Sequence, residues 1–499
     1  MLSTLSSATL FGISAIEVSV EVFAQRGVPQ ALIVGLPDMV VKESIGRIKA
    51  AIRNSQFEFP PRKITINLAP ADILKEGPLL DLAISIGMLQ ATGQLPSTPH
   101  DLFIGELSLS GEIKPIHGIL CICELAKQLN IDRIFLPQEN LKEASLISGL
   151  PLIGVTQLRD VTAAIEKNSR PSPRSTPSLI SRQSPLNFDD VKGQLLVKRA
   201  LQIAAAGHHN VLMIGPPGSG KTMLAKRLPS LLQPLSIEEA IESYKLHSIT
   251  TMTLSSQSLT SDRPFRAPHH SISYAGMAGG GTKPKPGEIS LAHHGILFLD
   301  ELAEFSRQVL EILRQPLESK EVTLSRANFS ITYPASFLLI AAMNPCPCGY
   351  YMDLQKECTC TPHVISRYWK KVSGPILDRI DIIIDVPRLT SHDFTSTQRH
   401  LSSEVMNDSI KHATSFQQDR QGRVHNGLLS PKEIKQHCII DAECQSLLSQ
   451  YVETGKLTGR SHDKILKIAR TIADFNTSDS IKMVHILEAL QFRQHKYGS

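Results

Sequence analysis

The sequence predicts an α/β protein built around a nucleotide-binding core, and three observations carry that reading. The first is Gly215-Pro-Pro-Gly-Ser-Gly-Lys-Thr222, which meets the pattern G-x-x-x-x-G-K-[ST] at every fixed position. It lies between Asn210–Ile214, an apolar run suited to a buried strand, and Met223–Leu228, suited to a helix. The second is Gly295-Ile-Leu-Phe-Leu-Asp-Glu301, an apolar strand ending in two carboxylates. The third is a first segment in which period-two and helical patterns alternate.

The glycine loop turns backbone N–H groups toward one anion, and the helix after it adds partial positive charge. In this arrangement Gly215, Pro216, Pro217, Gly218, Ser219 and Gly220 cradle phosphates, Lys221 reaches the β/γ-phosphates and Thr222 ligates Mg²⁺. Asp300 fits the magnesium-holding acid, and Glu301 the base that polarises an attacking water. The implied cofactors are ATP and Mg²⁺.

In order along the chain, Ile16–Phe23 and Lys63–Leu68 have period two and read as strands. Val41–Ile52 reads as an amphipathic helix, Leu79–Leu89 as a largely buried one and Asp132–Pro137 as a strand. Residues 1–165 thus form an α/β domain without a nucleotide loop. A Ser/Pro/Arg-rich linker over 166–186 separates it from the ATPase core, 187–395. Residues 396–428 are polar and read as a variable connector. Residues 429–499 read as a helical lid, with Ile465, Ile468, Ala469 and Ile472 in one stripe.

Net charge is +5, which permits nucleic-acid binding without arguing for it. No run approaches the ~18 apolar residues of a membrane span. The N-terminus lacks a basic start, and Glu17 and Glu21 interrupt the residues after it. A cytoplasmic protein with no membrane partner is expected. Of eight cysteines, Cys121, Cys123, Cys438 and Cys444 read as small core residues. Cys346-Pro-Cys348 and Cys358-Thr-Cys360 offer four thiolates to one structural Zn²⁺, with free thiols as the alternative. His269-His270 and His293-His294 find no third ligand at suitable spacing, so packing or hydrogen bonding is expected of them.

Arg263–His270, Pro286–Gly295, Asn344–Gly349, Ser373–Asp381 and Ala469–Asp474 then make a specific set. With them the chain resembles the bacterial ComM/YifB family of magnesium-chelatase-like AAA+ proteins over nearly its whole length. The resemblance implies a ring, expected to be a hexamer, with ATP between subunits. It implies a sensor role for Asn344, an arginine finger at Arg379 and a lid sensor at Arg460. It also implies a Lon-protease-like (ribosomal-protein-S5-like) first domain. In that pattern Leu79, after Glu76-Gly-Pro78, stands where the nucleophilic Ser belongs, and Leu120 where the Lys belongs. A leucine neither attacks nor activates, so no peptidase is expected. The family role is branch migration and helicase activity on single-stranded or branched DNA during integration of transforming DNA. Lys283 and Lys285, on the Gly/Pro-bounded stretch Gly279–Gly287, are the candidate DNA contacts. A chelatase-type motor acting on a protein or metal-insertion partner is the alternative, and an ATP-dependent protease the third reading.

Overall fold

The computed structural model describes residues 1–499 except 76, 170, 172–178, 180–185, 251–259, 282–283, 327–328, 354, 373, 390–401, 455–456 and 494–499, and the side chains of 326 and 329. Glu76, most of the linker and Lys283 therefore lie outside the described residues. The chain divides into two units, 1–180 with 237–260 and 181–236 with 261–499.

The first unit is built on a seven-stranded mixed sheet. Its strands are β1 (Leu2–Phe11), β2 (Ser14–Gln25), β3 (Gln30–Val34), β4 (Lys63–Ala69), β5 (Asp101–Phe103), β8 (Arg133–Pro137) and β9 (Leu152–Val155), in the order β3-β4-β2-β1-β5-β8-β9. A small hairpin of β6 (Glu106–Leu107) and β7 (Ile113–Lys114) stands apart. The period-two reading of β2 is visible in its burial, with Val18, Val20 and Val22 all fully buried. They share a core with the helix Asp81–Ala91, every residue of which is buried. The helix Met39–Asn54 starts at Asp38, whose carboxylate accepts from the amides of Val41 (2.7 Å) and Gly77 (3.1 Å).

One boundary differs from the sequence expectation. The helix Ile237–Thr250 comes after the glycine loop in sequence, yet it belongs to the first unit. There it packs on the helix Ile119–Gln128, with Lys245 paired to Glu124 and Tyr244 against the apolar cluster that holds Ile119 and Leu120. Leu79 is half-buried in a 3₁₀ turn, Pro78–Leu80, and Leu120 is fully buried. Both sit with core residues.

The second unit holds a five-stranded parallel sheet. Its strands are β10 (Val211–Ile214), β11 (Phe265–Arg266), β14 (Ile296–Leu299), β17 (Leu338–Met343) and β18 (Ile382–Asp385), in the order β11-β14-β17-β10-β18. Successive residues feed opposite faces. Val211, Met213, Phe298 and Ile340 join one apolar cluster; Leu212, Ile214, Leu299 and Ala341 join the other. Both faces are covered, which is why these strands read as continuous apolar runs. Two hairpins complete the unit, β12 (Gly279–Gly280) with β13 (Lys285–Pro286), and β15 (Glu321–Arg326) with β16 (Phe329–Pro334).

Helices Ser403–Gln421, Pro431–His437, Ala442–Glu453, Gly459–Phe475 and Met483–Gln491 come after the sheet. The first of these lies within the stretch read as a variable connector. A 19-residue helix runs from Ser402, whose side chain caps it, and buries Met406, Ile410 and Ala413 in the core. The expected stripe Ile465, Ile468, Ala469 and Ile472 is fully buried in the same cluster. Within it Arg470 is wholly buried, 3.0 Å from Asp474, and Asp474 also takes Arg420 and Asn426. A buried charge is stable only when paired and hydrogen-bonded, so the marker Ala469–Asp474 is structural. No helix of the described residues is long and apolar enough to cross a membrane.

Candidate nucleotide site

Three segments converge on one cavity of about 440 Å³, lined by Pro217–Met223, Asp300, Glu301, Met343 and Asn344. Parallel topology explains the convergence. β10, β14 and β17 run in the same direction, so the loops after their C-terminal ends meet on one edge. The glycine loop leaves β10, and Lys221 opens the helix Lys221–Arg227. Gly218 and Gly220 sit at φ of +79° and +91°, the left-handed region that lets the loop bend around an anion.

Lys221 Nζ donates to the carbonyls of Gly215 (2.7 Å) and Pro216 (3.0 Å) and to Asn344 Oδ1 (3.3 Å). Burial pushes its ammonium down to about 8, against the pull of Asp300 and Glu301. Thr222 Oγ1 donates to Asp300 Oδ2 at 2.6 Å. That hydroxyl and carboxylate, side by side on the cavity, are the hard oxygen pair that Mg²⁺ with a nucleotide uses. The cavity, its amide-rich loop and its lone cation fit a nucleoside triphosphate. Glu301 holds φ of +53°, uncommon for a non-glycine residue. Its carboxylate lies 3.2 Å from His270 Nδ1.

His269 Nδ1 meets Ser271 Oγ at 2.8 Å, and His293 Nδ1 accepts from the Ser336 amide at 3.0 Å. That His270 stands beside Glu301 was not legible, because a long stretch of sequence separates them.

Arg379 and Arg460 do not line this cavity. The Arg379 guanidinium pairs with Glu318 and donates to the Pro375 carbonyl at 2.6 Å. Its Glu318 partner had no sequence signal. Arg460 is exposed in the first turn of the helix Gly459–Phe475, which Thr458 caps through the Ser461 amide. Lys464, from the same helix, reaches Asp381 at 3.3 Å and so ties the helical part to the foot of β18.

The four clustered cysteines come together. Sγ separations are 3.3 Å for Cys346–Cys348, 3.7 Å for Cys346–Cys358 and 3.6 Å for Cys348–Cys358. With Cys360 all four sulfurs lie within 4.8 Å of one another. Burial by itself raises the Cys348 thiol, but the Tyr350 amide and its neighbours bring it down to about 6.

Lys285 is exposed on β13. Gly279–Gly280 pair with Lys285–Pro286, and Tyr333 of the second hairpin donates to the Pro284 carbonyl at 2.9 Å.

Comparison with known proteins agrees with this construction. The family model for magnesium chelatase, subunit ChlI, matches residues 187–394. Models of ChlI itself and of its C-terminal part match 20–140 and 400–493. Competence protein ComM of Haemophilus influenzae is 41% identical over 99% of this chain and 97% of its own length. YifB of Escherichia coli, an uncharacterized protein, is 42% identical over the same shares. A short stretch, 17% of this chain, is 31% identical to the DNA repair protein RadA of Streptococcus pneumoniae. On full-length identity and on all three models, the chain belongs to the ComM/YifB family of magnesium-chelatase-like AAA+ proteins.

Proposed function

We propose that this protein is a cytoplasmic ATP-hydrolysing ring motor that moves DNA, acting in helicase or branch-migration steps of recombination. The observation that carries the ATPase reading is the single cavity shared by Lys221, Thr222, Asp300, Glu301 and Asn344. Thr222 and Asp300 would hold Mg²⁺, which neutralises charge developing on the phosphates. Lys221 holds the β/γ-phosphate oxygens. Glu301 orients and polarises water for in-line attack, and Asn344 holds that water against the γ-phosphate. Arg379 acts on the ATP of a neighbouring subunit of the proposed hexamer, released from Glu318 when the neighbour's nucleotide offers a better anion. Arg460 is the lid's sensor. Catalysis here is positioning and electrostatics, with little covalent work for the protein.

The DNA reading rests on the family's competence member and on Lys285, exposed on β13, with Lys283 near it in sequence. Cations on a hairpin follow a phosphate backbone without reading sequence. The first unit keeps a Lon-like frame as an inert scaffold, with Leu79 and Leu120 in place of nucleophile and lysine. The four cysteines, as thiolates, hold one structural Zn²⁺.

ATP turnover with and without single-stranded or four-way-junction DNA tests the reading. Turnover rises severalfold with DNA if the motor acts on it. A rate indifferent to every DNA, with casein cleaved in an ATP-dependent manner, returns the protease reading; indifference to both leaves the chelatase-type motor.

A further inference from the structure

The cysteine centre sits where it can reach the chemistry. β17 ends at Met343, Asn344 enters the nucleotide cavity, and Cys346 and Cys348 come within four residues of it. The Trp369 indole donates to the Pro345 carbonyl at 3.0 Å, so the helix Pro362–Trp369 closes the excursion back onto its start. Gly349, at φ of +85°, lies so close to the glycine loop that an added Cβ would stand 2.5 Å from Pro217 Cδ. One short segment therefore touches the phosphate loop through Gly349 and carries the sensor Asn344, which meets Lys221 at 3.3 Å. A segment of this kind has little regular structure of its own. Two cysteine pairs, ten residues apart, have to be tied for it to keep one shape.

We infer that a Zn²⁺ bound by Cys346, Cys348, Cys358 and Cys360 is a brace of the nucleotide site, so that ATP turnover depends on the metal. This rests on the zinc reading above and adds a role to it. Tetrahedral zinc with Zn–S arms of about 2.3 Å sets sulfurs about 3.8 Å apart. The three separations of 3.3–3.7 Å need only a small expansion to reach that spacing. The metal fixes the segment, the segment fixes Asn344 and backs Pro217, and those two place Lys221 and the attacking water. Zinc takes no part in phosphoryl transfer. Asn344 is the contact through which its loss is felt.

The test uses the full-length protein purified without chelator, in three forms: wild type, the pair Cys348→Ser/Cys360→Ser, and Gly349→Ala. Zinc content by mass spectrometry is expected near one per wild-type chain and near zero in the cysteine variant. Turnover at saturating ATP is expected to fall about tenfold or more in the cysteine variant, the size of effect that shells around a functional group carry, with nucleotide affinity moving much less. Gly349→Ala keeps its zinc and still loses turnover, which keeps the inference testable if the cysteine variant fails to fold. Asn344→Ala closes a cycle: added to the zinc-free protein it lowers turnover little further, because both changes remove one contact. Wild type without zinc overturns the metal reading and the brace together. Zinc present, with full turnover in a folded zinc-free variant, overturns the brace alone. Full additivity of Asn344→Ala with zinc loss also overturns it.

Discussion

The two units are both strand-and-helix sandwiches with a Gly-Pro turn leading into a helix, and they put opposite chemistry at that turn. In the second unit the turn after β10 presents Lys221 and Thr222 to a cavity shared with Asp300 and Glu301. In the first, Gly77-Pro78 leads to Leu79, and the helix Ile119–Gln128 buries Leu120 completely. One unit devotes its loop positions to charge lining a cavity, the other to apolar packing. Layer architecture does not assign activity; the side chains at the open end of the sheet do.

The largest effect is expected at Arg379. It lies outside its own cavity, bound to Glu318. Arg379→Ala is expected to bind ATP and to lose about 10³-fold in turnover, the scale of an arginine finger. Glu301→Gln is expected to lose about 10²-fold or more while still binding ATP. In the proposed ring, mixtures of the two variants are expected to regain activity, since some interfaces would then carry both intact halves. No recovery at any mixing ratio contradicts action across a subunit boundary.

Lys221→Ala acts inside the cavity. Losing charge-assisted bonds to phosphate costs about 1.5–3 kcal/mol, so ATP affinity falls about 10- to 100-fold. Fluorescent-nucleotide titration reads it, and an unchanged dissociation constant would remove Lys221 from the site. The same change should do nothing to the fold of the first unit, which lies in a separate cluster of contacts.

The pH dependence is a smaller effect with a definite sign. Without nucleotide, Lys221 sheds its proton as pH passes about 8, because burial disfavours the ammonium. Bound phosphates favour the ammonium, so binding takes up a proton above that pH. Affinity therefore falls as pH rises from 8 to 9, by less than about tenfold, and is flat below 7. Isothermal titration in buffers of different ionisation heat measures the uptake; equal heats at pH 9 would contradict it.

Much of the second unit was legible, because its signals are local. A glycine loop between apolar runs and a strand ending in Asp300-Glu301 are read within a dozen residues. The helical stripe at Ile465–Ile472 is equally local. The missed features are long-range or diluted. The helix Ser403–Gln421 buries Met406, Ile410 and Ala413 among many polar residues, with Val405 turned to solvent, so its periodicity drowns in its composition. The helix Ile237–Thr250 was not read from sequence, and no residue in it says that its partner is a helix more than a hundred positions earlier. His270 beside Glu301 and Gly349 against Pro217 are contacts between segments, invisible until the sheet brings their loops together. The stretch around Lys285 reads as loose because glycine and proline dominate it, yet two backbone pairings close it.

Whether the chemistry of the second unit moves DNA is the central question. The direct measurement is ATP-driven strand movement on a synthetic four-way junction, with Glu301→Gln and Lys283→Ala/Lys285→Ala proteins alongside wild type. The expected result is movement by wild type only with ATP, none by Glu301→Gln, and slower movement by the lysine variant. In that variant ATP hydrolysis without DNA is retained and the salt dependence of DNA binding is shallower, because fewer counterions are released. Full ATP hydrolysis by wild type with the junction neither bound nor moved would contradict it.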